Sequence, residues 1–462
     1  MVERSRTYNS ISNSVYGIGA SAITTLLNFA VRVFLVRELG EEINGIHNLF
    51  YSIANIMVLM ELGIGSAMII HLYEPIKLKD EDMIKSIMSY YRKIYNIIAF
   101  IFLVVGIIVS VFLLDKLITS NIPLNRIRLY FFLFTLSYSV NYLTCSKKSI
   151  LFAEQKNRIS IMASAISELL FRTIQILLIF LYHNYTLFLL LLIFEKLACN
   201  YYCVYYVNKN HRYLKTKSVL ELAKEKKKAI FNTVRPLLIN QMAGTAQQSS
   251  QGILISMLLG NVSIVGYFGN YNLIVGMVQL VYSQFGGAIT SSFGNLAVDK
   301  DKQRLRSAYE RAAFIMNLIA GFFCTLFFVC ADDFISLVFG SNFVLDHFSV
   351  FVLSLNMLVY LLNIPMISIQ NAMGLHRYDS NYMVLQAILA IFGGYILGKL
   401  YGMPGIFMGL LIPLILFTLI RKGVVIGRIA MDIPKTTYLS SIAYDIFKII
   451  FNMAGTWLIC EN

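Results

Sequence analysis

The sequence predicts an all-α membrane protein with twelve transmembrane helices in two pseudo-symmetric six-helix lobes and a cytoplasmic N-terminus. Three observations predict it. The 462 residues are 57% hydrophobic and only 14% charged, whereas a soluble domain is about 25% charged. The apolar residues fall in runs long enough to cross a bilayer core, which takes about 20 residues as a helix. Basic residues crowd into alternate breaks between the runs, as cytoplasmic loops do.

The runs are 15–37, 46–72, 94–115, 128–146, 159–182, 184–207, 230–259, 262–290, 312–331, 346–373, 379–399 and 403–420. A thirteenth candidate, 438–460, is weakly apolar and holds Asp445 and Lys448. It reads as a span, an interfacial helix or the start of a longer C-terminal region. Arg4 and Arg6 precede the first run, which continues through Arg32 without a short apolar stretch ending in a small-residue cleavage site. A retained first helix is therefore expected, not a signal peptide.

With the N-terminus inside, 29 of the 39 Lys and Arg residues lie in inner segments, 5 in outer loops and 5 within spans. This bias sets the orientation. It also accounts for the net charge of +14 without nucleic acid, which is not expected as a partner. The most basic break, Lys209–Lys228, divides the chain into an N-terminal lobe (1–207), a cytoplasmic linker (208–229) and a C-terminal lobe (230–420). A cytoplasmic loop and the extra-helix candidate follow (421–462). The linker reads as a solvated loop that also touches anionic lipid.

The two halves repeat weakly. Leu39-Gly40 and Asn44-Gly45 between the first two runs match Leu259-Gly260 and Val265-Gly266 between runs seven and eight. On the first run Ser21, Thr25, Asn28 and Arg32 share a helix face; on the seventh Asn240, Gly244, Gln247 and Gln251 do. Parallel repeats of this kind are common in secondary transporters. Polar residues inside a membrane face a cavity or one another, so both stripes are candidate cavity walls. Interhelical hydrogen bonding is the alternative. Arg32 can bind phosphate bidentately or snorkel to headgroups.

Six further charges within spans need a reading. Glu61 is either a structural partner for an arginine or a proton or cation site. Arg235 either snorkels inward or takes part in function. Glu168 and Arg172, spaced i,i+4, are expected to neutralise each other. Glu195 and Lys196 point to different sides and each needs its own partner. Asp332-Asp333 reads as a solvated outer turn. Cys145, Cys199, Cys203, Cys324, Cys330 and Cys460 read as small packing residues, with no metal site and no disulfide framework. The six histidines lie at span ends or loops without a cluster, and no phosphate-cradling loop or nucleophile motif appears. No catalytic residues are expected.

The chain resembles bacterial polysaccharide transporters, the O-antigen and capsule or exopolysaccharide repeat-unit flippases of the multidrug/oligosaccharidyl-lipid/polysaccharide exporter superfamily. The likeness rests on the Asn9–Arg37 helix and on Arg37-Glu-Leu-Gly-Glu-Glu-Ile-Asn-Gly45. It rests also on Glu61-Leu-Gly-Ile-Gly65, on Leu72-Tyr73-Glu74-Pro75, and on Leu259-Gly260 through Gly266-Tyr267-Phe268-Gly269-Asn270-Tyr271. It implies two six-helix lobes around a central cavity, alternating access, and an undecaprenyl-diphosphate-linked oligosaccharide as substrate in a bacterial cytoplasmic membrane. Polysaccharide polymerases and glycosyltransferases of the same pathway are the implied partners, beside membrane lipids. No cofactor is expected; Na+, H+ or the membrane potential are the candidate driving forces. Two other functions fit less well. A cation-coupled multidrug exporter would want carboxylates where the amides and Arg32 stand. A membrane glycosyltransferase or polymerase would need a larger extramembrane region than these short loops supply.

Overall fold

In the computed structural model, residues 6–58, 64–154, 156–215, 222, 224–298 and 301–461 are described, and every regular element among them is helical. Two compact units divide the chain, Met1–Met242 and Ala243–Asn462.

The first unit opens with α1 (Arg6–Met57), followed by α2 (Ile64–Leu78), α3 (Glu81–Phe112), the short α4 (Leu114–Leu117), α5 (Leu124–Ala153), α6 (Asn157–Tyr182) and α7 (Tyr185–Asn210). The first two apolar runs begin as two helices that meet at Gly40 with no loop between them, the second reaching Met57. The kink is Gly40, whose φ of 83° only glycine adopts cheaply. Caps set several other boundaries. The Asp80 carboxylate accepts from the Met83 N–H (2.9 Å), and the Asn184 side chain accepts from the Thr186 and Leu187 N–H groups. His183, in the left-handed region, ends α6. Within the unit α1 packs on α6, α3 on α5 and α5 on α7. The opposite face of α3 presents Phe100, Val104, Ile107 and Val111 outward, as a lipid-facing surface would.

The unit boundary falls inside α8 (Lys224–Leu259). The second unit continues with α9 (Val262–Val298), α10 (Lys302–Phe339), α11 (His347–Met373), α12 (Ser380–Tyr401), α13 (Met403–Pro413), a π-helical stretch (Leu414–Arg421), α14 (Lys422–Met431) and α15 (Lys435–Glu461). Asp301 and Asp346 cap α10 and α11 by accepting from the Arg304 and Ser349 N–H groups. Gly260 ends α8 with φ 64°. It occupies the place in the second half that Gly40 holds in the first, so the same backbone device serves both members of the repeat.

Residues 438–460 belong to a continuous helix packed on α10 and α14. Asn317 donates to the Asp445 carboxylate (2.7 Å), and the Tyr438 hydroxyl donates to the Leu419 carbonyl (2.9 Å). Asp332-Asp333 is not a solvated turn. It lies within α10, and Asp332 is tied to Tyr271 and His347.

Among the described residues ten helices are long and apolar enough to cross a membrane, the helix Lys435–Cys460 among them; the chain is a multi-pass membrane protein. The long helices α5 and α8 fall outside that set. Ser137, Ser139 and Asn141 on α5, and Gln247 through Gln251 on α8, interrupt their apolar surfaces.

The α12–α13 contact is the tightest in the second unit. A Cβ on Gly409 would meet the backbone of Gly393 and Gly394, and one on Gly405 would meet that of Leu397 and Gly398. Without a hydrophobic force between helices in lipid, such close backbone approach drives packing. Gly409→Ala is expected to cost about 3 kcal/mol, the upper range for overpacking. Thermal unfolding in detergent would read this as a lowered midpoint. Gly276→Ala, where the added methyl meets open space, should leave the midpoint unchanged or slightly raised.

Candidate functional site: the polar cores of the two units

Arg32 is buried in the first unit, 7% exposed, on the part of α1 that precedes the kink. Thr25 is half-buried and Asn28 exposed on the same stripe. Tyr51, Tyr185 and His47 lie within electrostatic reach of the guanidinium. His47 is itself buried and shares a 2.8 Å hydrogen bond with the Tyr185 hydroxyl. The rings of Tyr51, Phe134, Tyr185 and Phe188 meet its imidazole edge to face at 4.9–5.9 Å. His47 is therefore an interior residue beside the candidate stripe and not a span-end histidine. The available signal was Asn44, His47 and Tyr51 at helical spacing on α1, one face with the fully buried Asn44.

A second arginine completes this core. Arg172 does not pair with Glu168. It donates to Gln175 Oε1 (3.0 Å), and its Nε lies 3.5 Å from Glu195, which is 1% exposed. Gln175 in turn donates to the Phe188 carbonyl (3.0 Å). Glu168 instead accepts from the Ser164 hydroxyl (3.0 Å). Glu195 and Lys196 pair with each other instead of each finding its own partner: Lys196 Nζ reaches the Glu195 carboxylate at 2.7 Å. One carboxylate from α7 thus neutralises two cations, because the α6–α7 contact brings Arg172 to Glu195 and adjacency brings Lys196. Arg172 also lies within electrostatic reach of His47 and Tyr138. The result is a buried zone of two arginines, an imidazole and tyrosine hydroxyls. Such groups suit phosphate and sugar hydroxyls.

Glu61 lies outside the described residues, as do the side chains of Arg235 and Asn240. Gln247 and Gln251 are both buried in the second unit. Gln247 accepts from Gln386 (2.9 Å), whose own carbonyl accepts from Thr418 (2.6 Å). The amide of Gln247 therefore acts as interhelical glue between α8, α12 and the π-helical stretch. That stretch follows Pro413, whose missing N–H breaks the α register. Its end is held by Asp379, 3% exposed, against Arg421 (3.3 Å) and Lys422 (2.8 Å). Neither the Gln247–Gln386–Thr418 chain nor the Asp379 cluster is visible from local spacing, because each joins residues over 30 positions apart. Among the described residues no group of three His, Cys, Asp or Glu could hold a metal ion. Cys199 and Cys203 pack with Ala163.

Where α7 ends, His211 and Glu154 tie the chain leaving it to the α5–α6 loop. The distance is 3.3 Å, and Lys156 adds a second contact at 3.0 Å. Burial alone would raise the Glu154 pKa, but the hydrogen bonds and charges of His211 and Lys156 outweigh it and hold the carboxyl below its ordinary range. A depressed carboxyl pKa contributes stability above the ordinary carboxylate range and loses it as pH falls. Glu154→Gln should therefore weaken this tie by about 1 kcal/mol at neutral pH. Hydrogen exchange over 208–215 would then be faster than in the wild type, with the difference vanishing on acidification.

This arrangement of helices is shared with transporters. An inward-facing multidrug resistance MATE transporter of the MOP superfamily superposes with a TM-score of 0.68 at 12% identity, over 95% of this chain and 99% of that one. The lipid II flippase MurJ in an inward closed conformation superposes with a TM-score of 0.63 at 14% identity, over 95% and 92%. A MOP superfamily transporter from Pyrococcus furiosus, described as having a binding pocket of reversed polarity, gives 0.55 at 13% identity, over 92% and 95%. The fold is thus that of the MOP superfamily membrane transporters. The sequence pattern of the polysaccharide biosynthesis protein family matches residues 10–297, and the chain belongs to that family. No curated protein matches the sequence.

Proposed function

We propose that the protein is a flippase that carries an undecaprenyl-diphosphate-linked oligosaccharide repeat unit across the bacterial cytoplasmic membrane by alternating access, for surface polysaccharide assembly. The observation that carries this reading is the buried Arg32–His47–Arg172 zone with its tyrosine hydroxyls, in a chain of the polysaccharide biosynthesis family. A diphosphate is an anion that an arginine fork binds bidentately. The glycan offers hydroxyls to amides and aromatic faces. Thr25, Asn28, Asn240, Gln247 and Gln251 are assigned to the substrate path on the same reasoning, with Gln247 also bracing its helices.

On this reading the chain has twelve spans, or thirteen with α15, and its N-terminus and 208–229 segment are cytoplasmic, an orientation that the distribution of Lys and Arg supports. The protein works as a transporter and not an enzyme. Its partners are the lipid-linked substrate and the polymerase and glycosyltransferases that consume and supply it. Glu61 and Arg235 are the remaining charges through which Na+, H+ or the membrane potential would act. A multidrug exporter of organic cations is disfavoured by the first unit's buried carboxylate, since Glu195 is already engaged by Arg172 and Lys196.

Binding tests this reading. Purified protein in detergent should bind a polyprenyl-diphosphate oligosaccharide in native mass spectrometry, and a polyprenyl carrier lacking the diphosphate far less. Equal binding of both, or preference for organic cations, would overturn it.

A further inference from the structure

Among the described residues, α15 is the least apolar of the ten helices able to cross a membrane. Its polar residues are not scattered. Thr437, Ser441, Asp445, Lys448, Asn452 and Thr456 follow i, i+4, i+8, i+11, i+15 and i+19, so they share one helix face. At about 1.5 Å per residue the stripe is about 28 Å long, close to the hydrocarbon thickness of about 30 Å. It runs along a seam. On one side of it Ile442, Ile449 and Met453 are buried; on the other Tyr444, Phe447 and Phe451 are 61–68% exposed, as a lipid-facing flank would be.

At this seam α10 and α15 frame a groove of about 380 Å³. Its polar lining is Asn317 and Thr325 from α10 with Asp445, Lys448, Asn452 and Thr456 from α15. Phe314, Leu318 and Phe322, 63–64% exposed, line it too. Asn317, 8% exposed, donates to the Asp445 carboxylate (2.7 Å), while its Oδ1 is buried without a donor. Lys448 Nζ stands over the Tyr444 ring, 4.8 Å from its centroid, and not against Asp445 one turn away. Lys448 is also midway along α15, about 20 Å from either end, too far for its side chain to snorkel to the headgroup layer. Charges at such a depth mark a path or a partner. We propose that the α10–α15 groove is a path for the headgroup of a zwitterionic phospholipid, which crosses along the stripe while its acyl chains stay in the bilayer.

The charges are complementary to such a headgroup. Its phosphate meets the Lys448 ammonium, and its own ammonium, two carbons from the phosphate oxygen, meets the Asp445 carboxylate. Both contacts are charge-assisted hydrogen bonds, the stronger kind. Asn452 and Thr456 continue the hydrogen-bonding surface toward one end of α15, and Ser441 and Thr437 toward the other. A phospholipid with a phosphate and no ammonium would satisfy Lys448 and leave Asp445 facing a second anion. A second protein helix fits less well. Helices that pair in lipid approach through small residues, and the exposed side chains around this groove are large: Phe314, Leu318, Phe322, Tyr444, Phe447 and Phe451. This path lies wholly in the second unit, needs no alternating access, and is an activity beyond the transport proposed above.

Vesicles containing the purified protein test this with phosphatidylethanolamine and phosphatidylglycerol, each carrying a dithionite-sensitive fluorophore on an acyl chain so that the headgroup is intact. The expected result is that dithionite bleaches the whole phosphatidylethanolamine pool and not the outer leaflet alone. Phosphatidylglycerol, which has no ammonium, should move roughly tenfold more slowly, the loss of one charge-assisted bond. Asp445→Asn should lower the phosphatidylethanolamine rate to that of phosphatidylglycerol, and Lys448→Gln should slow both. Bleaching no deeper than in empty vesicles, equal rates for the two lipids, or variants that match the wild type would overturn the proposal. So would cross-linking of two copies through Asn452→Cys without lipid movement, which would assign the face to a second copy of the chain. The wild-type comparison of the two lipids decides even where a variant fails to fold.

Discussion

Glu195→Ala is expected to destabilise the first unit by about 3–5 kcal/mol, the cost of stranding a buried charge by removing its partner. Glu195 is 1% exposed and faces Arg172 and Lys196 together. Its loss strands the buried Arg172 guanidinium beside Tyr138 and His47 and removes the partner of Lys196. For a unit of this size the melting midpoint should fall by roughly 10 °C, at about 2–4 °C per kcal/mol. Glu168→Ala breaks only a bond to Ser164 and should change the midpoint by no more than about 1 kcal/mol in equivalent stability. Thermal unfolding of both variants in the same detergent checks the ranking. Equal effects would mean that the i,i+4 pair read from the sequence operates after all.

The largest functional effect is expected at Arg32. Arg32→Gln keeps a hydrogen-bonding side chain of similar reach and removes the charge and the planar fork. Each charge-assisted bond to phosphate is worth about 1.5–3 kcal/mol. Losing two lowers affinity for a diphosphate-linked substrate by roughly 100- to 10,000-fold, at about 1.4 kcal/mol per factor of ten. Arg32→Lys restores the charge without bidentate geometry and should fall between the two. Titration of the purified variants with the lipid-linked substrate checks the order. A melting midpoint close to that of the wild type separates this loss from a folding defect.

Much of the helical plan was legible because a membrane allows few backbone solutions and because spans announce themselves by length and polarity. Arg32 was legible because a guanidinium in an apolar run has few reasons to be there. His47, Gln175 and Tyr185 were not. Their polar atoms are satisfied by residues 138 and 13 positions away, and nothing in their local pattern names those partners. The Glu168–Arg172 spacing misled for the same reason. A tertiary partner at Glu195, more deeply buried than Glu168, outcompeted the nearer one. The kink at Gly40 and the end of α8 at Gly260 were visible as a repeat of Leu-Gly pairs. That the two helices would meet at Gly40 without a loop between them depended on packing that the sequence does not display. Asp332 was misread as a turn because its partners, Tyr271 and His347, lie on other helices.

The central claim is that this chain moves a lipid-linked oligosaccharide. Its most direct test is transbilayer movement of a fluorescent polyprenyl-diphosphate oligosaccharide in vesicles containing the purified protein. The expected result is faster movement than in empty vesicles, lost when Arg32→Gln replaces the wild type. Movement no faster than in empty vesicles, with the protein folded, would contradict the account.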